Sequence, residues 1–303
     1  MTWLQNITKE SKIWIVNYAC AIDYYVDLNK QKNSVLIPGG KGINVAIVMK
    51  SLGFDPTVIT FLGQPTKNLF LELVKPYDLN IVSFISETKT RINLKLLKDE
   101  KTTEINDLSP LITDANLTEL LTFLKANVKN NDLVIINGRF KFEALEKVLN
   151  LVFTLTENVV IDVDESKMLT LLNQSKPLVM KPNIDEFQTM INTFFQDQQS
   201  LIAAIKKFHY CKLLLLSDGD KGAYLFDQNK LLFVSSITPK QVVSTTGAGD
   251  TLLAVFLANL ILKVDLKTAL IKATNYASAT ISKLGVVDSK DKISVIIPKS
   301  YYL

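Results

Sequence analysis

The sequence predicts an α/β fold built on a mostly parallel sheet with helices packed on both faces. Three observations carry that expectation. Its short runs of Val, Ile and Leu are apolar throughout instead of alternating, as strands covered on both faces are. Longer helical patterns separate most of those runs, in the order a parallel sheet requires. Two stretches interrupt the rhythm as hairpins, and one of them is half polar on each strand, so it is expected to stand off the sheet as a small β flap over a cleft.

Taken in order, residues 13–16 form the first expected strand, 43–52 the first helix and 58–62 the next strand. Residues 90–97 and 103–105 alternate apolar and polar across the charged turn Lys98–Lys101, which gives the flap. A helix over 114–128, a strand over 133–136, a helix over 142–155 and strands over 159–161 and 178–180 follow. Beyond a helix at 201–208 and a strand at 213–216, residues 223–226 and 231–234 flank 227–230 as a second hairpin. Helices over 250–262 and 266–283 complete the set. No internal repeat, low-complexity tract or Pro/Gly/Ser-rich linker divides the chain. One domain spanning 1–303 is expected, with lid segments near 17–38 and 88–108.

Composition narrows the classes. An apolar fraction of 48% over 303 residues supports a sizeable core and excludes a disordered chain. The net charge of +4 is dispersed as single lysines, with no basic stripe for nucleic acid. Cys20 and Cys211 lie far apart without a metal spacing, so neither a disulfide framework nor a zinc site is expected. His209, the single histidine, excludes a His-rich metal site and most Ser-His mechanisms. Residues 1–12 lack a signal-peptide h-region, and the most apolar stretch, 252–262, is too short for a bilayer and runs into Lys263 and Asp265. The expectation is a cytoplasmic protein with no membrane and no nucleic-acid partner.

Five local patterns could carry chemistry, and each also has a plain structural explanation. Thr245-Thr246-Gly247-Ala248-Gly249-Asp250 leads into an apolar helix, where glycines admit an anion to backbone amides and the helix dipole favours it. A carboxylate in that place has work to do, or Asp250 is simply an N-cap. Gly39-Gly40-Lys41-Gly42-Ile43-Asn44 also opens a helix and offers a cation, without the spacing of a Walker loop; a tight turn with a solvated lysine is the alternative. Lys181-Pro182-Asn183-Ile184-Asp185-Glu186 follows an apolar strand, and Asn183 with Glu186 either completes a capping box or orders a hydrated Mg²⁺. Ser217, Gly219 and Gly222 form a turn that could also floor a nucleotide. Arg91, Asn93 and Lys95 share one face of an extended segment, a pattern that suits a phosphate.

The order of these patterns is more specific than any one of them. Gly-Gly-Lys-Gly, then Lys-Pro-Asn-x-x-Glu, Ser-x-Gly-x-x-Gly-Ala and Gly-Ala-Gly-Asp resembles the ribokinase-like (PfkB) carbohydrate kinases over about residues 21–283. Residues 39–46, 90–95 and Glu104-Ile105-Asn106 are similar to the branch of 1-phosphofructokinases and tagatose-6-phosphate kinases. The resemblance implies a three-layer α/β/α sandwich with a small β lid, and ATP-dependent conversion of a ketohexose monophosphate to a bisphosphate. Fructose 1-phosphate is the expected acceptor; tagatose 6-phosphate, or a non-catalytic sugar-phosphate-binding role, is the alternative. It further implies Asp250 as catalytic base with Gly247, Ala248 and Gly249 as the anion hole. Asp23, Gly39, Gly40, Asn44 and Asn93 would bind the sugar, and Lys41, Arg91 and Lys95 its phosphate. Lys181, Asn183, Glu186, Ser217, Gly219, Gly222, Thr246 and Asn275 would lie on the ATP side, with Asn183 and Glu186 ordering Mg²⁺ through water. A homodimer through the lid is also implied. Where the family has Asn-Pro and Ser-Gly-Ser, this chain has Ala19-Cys20 and Asn137-Gly138-Arg139.

Overall fold

The computed structural model describes residues 6–8, 10–28, 33–98, 101–172, 175–237 and 241–303. In chain order the elements are β1 (Ile13–Asn17), β2 (Ala21–Asp27), β3 (Asn33–Gly39), α1 (Lys41–Ser51), β4 (Thr57–Gly63), α2 (Lys67–Val74), β5 (Asn80–Ser86), β6 (Arg91–Lys98), β7 (Lys101–Ile105) and α3 (Asp114–Asn127). There follow β8 (Leu133–Gly138), α4 (Phe142–Leu155), β9 (Val159–Val163), α5 (Met168–Leu172), β10 (Val179–Met180), α6 (Ile184–Met190), α7 (Gln198–Lys206) and β11 (Leu213–Ser217). The last are β12 (Gly222–Phe226), β13 (Leu231–Ser235), α8 (Ala248–Ile261), α9 (Leu266–Thr280) and β14 (Ser300–Tyr302).

The main sheet runs β14-β13-β12-β11-β10-β9-β8-β1-β4-β5. It is parallel from β5 through β11 and antiparallel from β12 outward. Alternate residues of its all-apolar strands feed two cores. Ile15, Ile135, Val160 and Leu215 pack with α1, α8 and α9 on one face. Val16, Ile136, Ile161 and Leu216 pack with α3, α4 and α7 on the other. The result is the expected three-layer sandwich. Helix α8 is apolar almost all round and buried along nearly its full length, as a helix inside a core must be.

A second, four-stranded sheet, β3-β2-β6-β7, stands apart from the first. Strand β2 pairs in parallel with β6 and antiparallel with β3, and β6 with β7 form the expected hairpin. Residues 99 and 100 of its turn lie outside the described residues, as do 29–32 of the 17–38 segment and 1–5 and 9 of the N-terminal stretch.

Several boundaries differ from expectation for local reasons. Helix α1 begins at Lys41, not 43, because Gly40 (φ 107°) breaks the strand directly before it. Helix α7 starts at Gln198 because Asp197 caps it, its side chain accepting from the Ser200 amide. Helix α8 starts at Ala248, and α9 ends at Thr280. Strands β2, β3, β5 and β14 and helices α2 and α5 were not expected.

The chain goes from β1 outward to β4 and β5, then returns to add β8 on the opposite side of β1. That reversal opens a crevice at the carboxyl ends of β1 and β8, the place where open α/β sheets bind ligands. The second sheet sits against that edge, tied to it where the three residues 18–20 lead from the end of β1 into β2.

Candidate active site

Asp250 lies in the first turn of α8, whose N-cap Gly247 adopts a left-handed φ of 86°. Glycine takes that conformation without strain, and it turns the chain so that the first free amides of α8 face outward. Asn44, one turn into α1, donates from Nδ2 to Asp250 Oδ2 at 2.7 Å. The two glycine-led helix starts therefore converge on one carboxylate. Asp250 is 7% exposed. Burial, reinforced by the Asp162 charge, pushes its pKa up to about 6, against the opposing pull of Lys41, the Asn44 hydrogen bond and Lys181. A carboxylate poised there is a competent general base near neutral pH.

On one side of Asp250 stands a cluster of alternating charge. Lys41 Nζ lies 2.9 Å from Asp162 Oδ1 and 3.4 Å from Glu186 Oε1. Lys181 Nζ reaches the same Asp162 oxygen at 3.4 Å. A Cβ at Gly249 would come within 3.3 Å of Lys181 Nζ, so this ammonium also adjoins the amides at the start of α8. Burial acts to raise the Asp162 pKa, but Lys181 and Lys41 prevail and hold it below the usual carboxylate range. Burial likewise acts to lower the Lys41 pKa, and Asp162, Glu186 and Asp250 together raise it. Asn183 and Glu186 form the capping box of α6: Asn183 Oδ1 accepts from the Glu186 amide, and Glu186 Oε2 from the Asn183 amide, both at 2.8 Å. Ser217 is bridged in parallel to Asn183, which places the end of β11 beside the same cluster.

The other side is built by the second sheet. Asp23, Tyr25, Asn93, Lys95 and Glu104 share its inner face through the register Asp23–Asn93 and Tyr25–Lys95–Glu104. Asn93 Nδ2 donates to Asp23 Oδ1 at 2.8 Å. Gly39 is required here, because a Cβ would sit 2.5 Å from Asp23 Oδ2. Burial raises the Asp23 pKa, opposed by Lys95, the Asn93 hydrogen bond and Arg91. Arg91 keeps its Nε buried without a protein partner among the described residues, and burial lowers its pKa. Lys95 Nζ binds Glu104 Oε1 at 2.8 Å and Thr246 Oγ1 at 3.2 Å, and the Thr246 hydroxyl also donates to Glu104 at 2.6 Å. This triad joins the second sheet to the residue just before Gly247.

The structure thus gathers Asp23, Gly39, Gly40, Asn44, Arg91, Asn93, Lys95, Lys181, Asn183, Glu186, Ser217, Thr246 and the Gly247–Asp250 turn around one crevice. Some expected placements change. Lys41 does not join Arg91 and Lys95; starting α1 two residues early points it at Asp162 and Glu186 instead. Asn275 spends its amide on the chain itself, donating to Ile296 O at 2.9 Å and accepting from Ile296 N at 2.7 Å. Gly222 (φ 138°) is a packing requirement, since a Cβ there would collide with the Val234 carbonyl of β13. Gly219 sits in the exposed turn with open space beside it.

Four polar residues at the sheet edge were missed as site candidates. Thr60, Asn17, Asn137 and Asp162 are register neighbours across β4, β1, β8 and β9. All are essentially inaccessible, and Thr60 Oγ1, both amide atoms of Asn17 and Asn137, and Asp162 Oδ2 find no partner among the described residues. The available signal was a polar residue at or near the end of three otherwise apolar strands, Val-Asn, Ile-Asn and Ile-Asp; Thr60 lies in the middle of β4.

A single buried base at an anion-binding helix start, flanked by cations on two sides and placed at the switch point of a parallel sheet, is the layout of a phosphotransferase, whose catalysis is chiefly positioning and electrostatics. The chain belongs to the pfkB family carbohydrate kinases, whose family profile matches residues 8–293. It is 99% identical, over the full length of both chains, to a Mycoplasma genitalium protein provisionally named 1-phosphofructokinase. It is 30% identical to the 1-phosphofructokinase of Borreliella burgdorferi, covering 76% of each chain. Among solved structures, the phosphofructokinase-2 of Escherichia coli superposes with a TM-score of 0.83 at 19% identity, covering 92% of this chain and 96% of that one. As members of the family do, the protein uses ATP as its phosphoryl donor. Among the described residues no helix is long and apolar enough to cross a membrane.

Proposed function

We propose that this cytoplasmic kinase converts fructose 1-phosphate to fructose 1,6-bisphosphate. The observation that carries the reading is Asp250, hydrogen-bonded by Asn44 at the start of α8 with cations on either side. Asp250 takes the proton of the acceptor hydroxyl as that oxygen attacks the γ-phosphorus. The bond from the γ-phosphorus to the β–γ bridging oxygen breaks, and ADP leaves with the electron pair. The amides of Gly247, Ala248 and Gly249, with Lys181 beside them, meet the charge on the transferring group. Lys41 stands next to them, held by Asp162 and Glu186. Asp23, Gly39, Gly40, Asn44 and Asn93 hold the sugar, and Arg91 faces the phosphate it already carries. Ser217 and Gly219 line the approach of the nucleotide.

The residues present fit Mg²⁺ arriving with the nucleotide. Among the described residues no three or more His, Cys, Asp or Glu gather into a metal cage. Mg²⁺ needs few protein oxygens, keeping waters and taking phosphate oxygens. Asp162 Oδ2 is buried without a partner, and the capping box leaves Glu186 Oε1 facing Lys41. Asp162 and Glu186 would hold its waters, with Asn183 orienting Glu186. When bound, the cation neutralises developing charge on the β- and γ-phosphates.

The outward face of the second sheet aligns Leu36, Tyr24, Leu94 and Ile105 in one register row, with Tyr24 36% and Ile105 56% exposed. That apolar row supports a homodimer through this lid.

The test is a coupled ADP-release assay with fructose 1-phosphate, tagatose 6-phosphate, fructose 6-phosphate and free fructose. Fructose 1-phosphate should give the highest kcat/KM. A preference for tagatose 6-phosphate would reassign the acceptor, and turnover of free fructose alone would refute the phosphorylated-acceptor reading.

A further inference from the structure

Glu104 takes no part in the chemistry described above. It lies on β7, an edge strand of the second sheet, directly opposite Lys95 of β6. Lys95 Nζ stands 5.9 Å from the centre of the buried Tyr25 ring, and its side chain is 3% exposed. Burial acts to raise the Glu104 pKa, but hydrogen bonds from Lys95 and Thr246 prevail and hold it below the usual carboxylate range. The three side chains close a triangle. Lys95 Nζ reaches Glu104 Oε1 at 2.8 Å and Thr246 Oγ1 at 3.2 Å, and the Thr246 hydroxyl donates to the same Glu104 oxygen at 2.6 Å. Two of its sides cross from the second sheet to the turn before α8.

That turn lies outside the regular structure. Residues 241–245 belong to no helix or strand. The Val243 and Ser244 amides are fixed on Ile281 O at 2.7 and 3.2 Å, and the Thr246 amide donates to Ser244 Oγ at 3.3 Å. The next residue is Gly247, whose left-handed φ of 86° aims the first amides of α8. A swing at Thr246 is therefore passed directly to the amides that meet the transferring phosphoryl group.

We propose that Glu104 is a positioning residue for phosphoryl transfer: it holds the Thr246 hydroxyl from across the crevice, so that the Gly247–Gly249 amides reach their working geometry with the second sheet closed. This rests on the kinase reading above.

The triangle has the strength for that task. Its bonds are charge-assisted, and the Lys95 charge is buried, so removing its partner would leave an uncompensated cation. It also has the connection. Asn93, which donates to Asp23, precedes Lys95 by two residues on the same face of β6. A sugar held by Asp23 and Asn93 fixes that strand, and the triangle carries its position to the anion hole. One carboxylate oxygen accepts from both the lysine and the threonine, a role that an amide, carrying no charge, fills poorly.

The experiment is steady-state kinetics with ATP and fructose 1-phosphate, and calorimetric binding of each, on wild type, Glu104→Gln, Thr246→Val, Thr246→Ser and the double variant Glu104→Gln/Thr246→Val. Thr246→Val leaves the Lys95–Glu104 pair whole, so its thermal unfolding should match wild type even where Glu104→Gln unfolds earlier. A displacement of about 1 Å at a reacting centre can cost about 10²-fold, so kcat should fall roughly 10- to 100-fold in Glu104→Gln and in Thr246→Val. KM and Kd for both substrates should hold. Thr246→Ser, which keeps the hydroxyl, should restore kcat. The double variant should be no slower than the slower single one, because the two residues act as a unit. A kcat unchanged in Thr246→Val, losses that multiply in the double variant, or an effect confined to KM for fructose 1-phosphate would each overturn this inference alone. A wild type inert toward every phosphorylated ketohexose would overturn the reading beneath it.

Discussion

Asp250 is costly to the fold and useful to the reaction for the same reason. Its pKa is raised by burial first and by Asp162 second, so the ionised form is disfavoured in the native state. A carboxylate whose folded pKa exceeds its unfolded one stabilises most at low pH, and that contribution is lost as pH rises from about 4 through about 6. Activity runs the other way, because the base must be ionised. The kcat should therefore fall roughly tenfold per pH unit below about 6 and level off above it. A profile flat to pH 5 would contradict the assignment. Gly39 gives a second prediction at this scale. In Gly39→Ala the new Cβ would meet the Asp23 carboxylate at 2.5 Å. A displacement of about 1 Å at a reacting centre can cost about 10²-fold, so kcat/KM for the sugar should drop by roughly that factor while KM for ATP holds. Asp250, Asp23 and Lys181 were legible because each stands in a recurrent pattern. Asp162, Asn17 and Asn137 were not, because one polar residue in a buried strand has no motif, and only sheet register reveals that they are neighbours. Lys41 was legible as a cation but not in direction, which turned on where α1 begins.

Capping boxes separate local stability from function. Asn183 caps α6 and Asp197 caps α7 with equivalent bonds, but Asn183 alone adjoins the charged cluster. Asn183→Ala and Asp197→Ala should each cost about 1 kcal/mol, a loss of roughly 2 °C in Tm for a chain of this size. Asn183→Ala should in addition raise KM for Mg-ATP, and Asp197→Ala should not. Equal kinetics in the two variants would reduce Asn183 to a cap. Elements with an unbroken apolar pattern were readable: β1, β4, β8, β9, β11 and the core helices fall close to their expected bounds. Strands β2 and β3 were not. Tyr24 faces solvent while Tyr25 is buried on Lys95, and that division exists only once β6 pairs with β2.

For the whole molecule, the arrangement of two sheets decides what the site can do. The main sheet supplies the rigid edge carrying Asn17, Asn137 and Asp162, and the second sheet supplies Asp23, Asn93 and Arg91. The triad of Lys95, Glu104 and Thr246 joins them beside the start of α8. The sequence made the layered sandwich legible through its apolar strands; the crevice itself depends on the reversal at β1, which no local pattern encodes. If the apolar row Leu36–Tyr24–Leu94–Ile105 is a dimer seam, Tyr24→Lys should yield a monomer by sedimentation with the main sheet intact, and an unchanged mass would place the seam elsewhere.

The most direct test of the account is the turnover of Asp250→Asn with ATP and fructose 1-phosphate, measured beside its calorimetric affinity for ATP. Removing a general base should lower kcat by roughly 10³-fold, with ATP affinity retained and the fold at least as stable as wild type. Turnover within tenfold of wild type in a variant that binds ATP normally would contradict it.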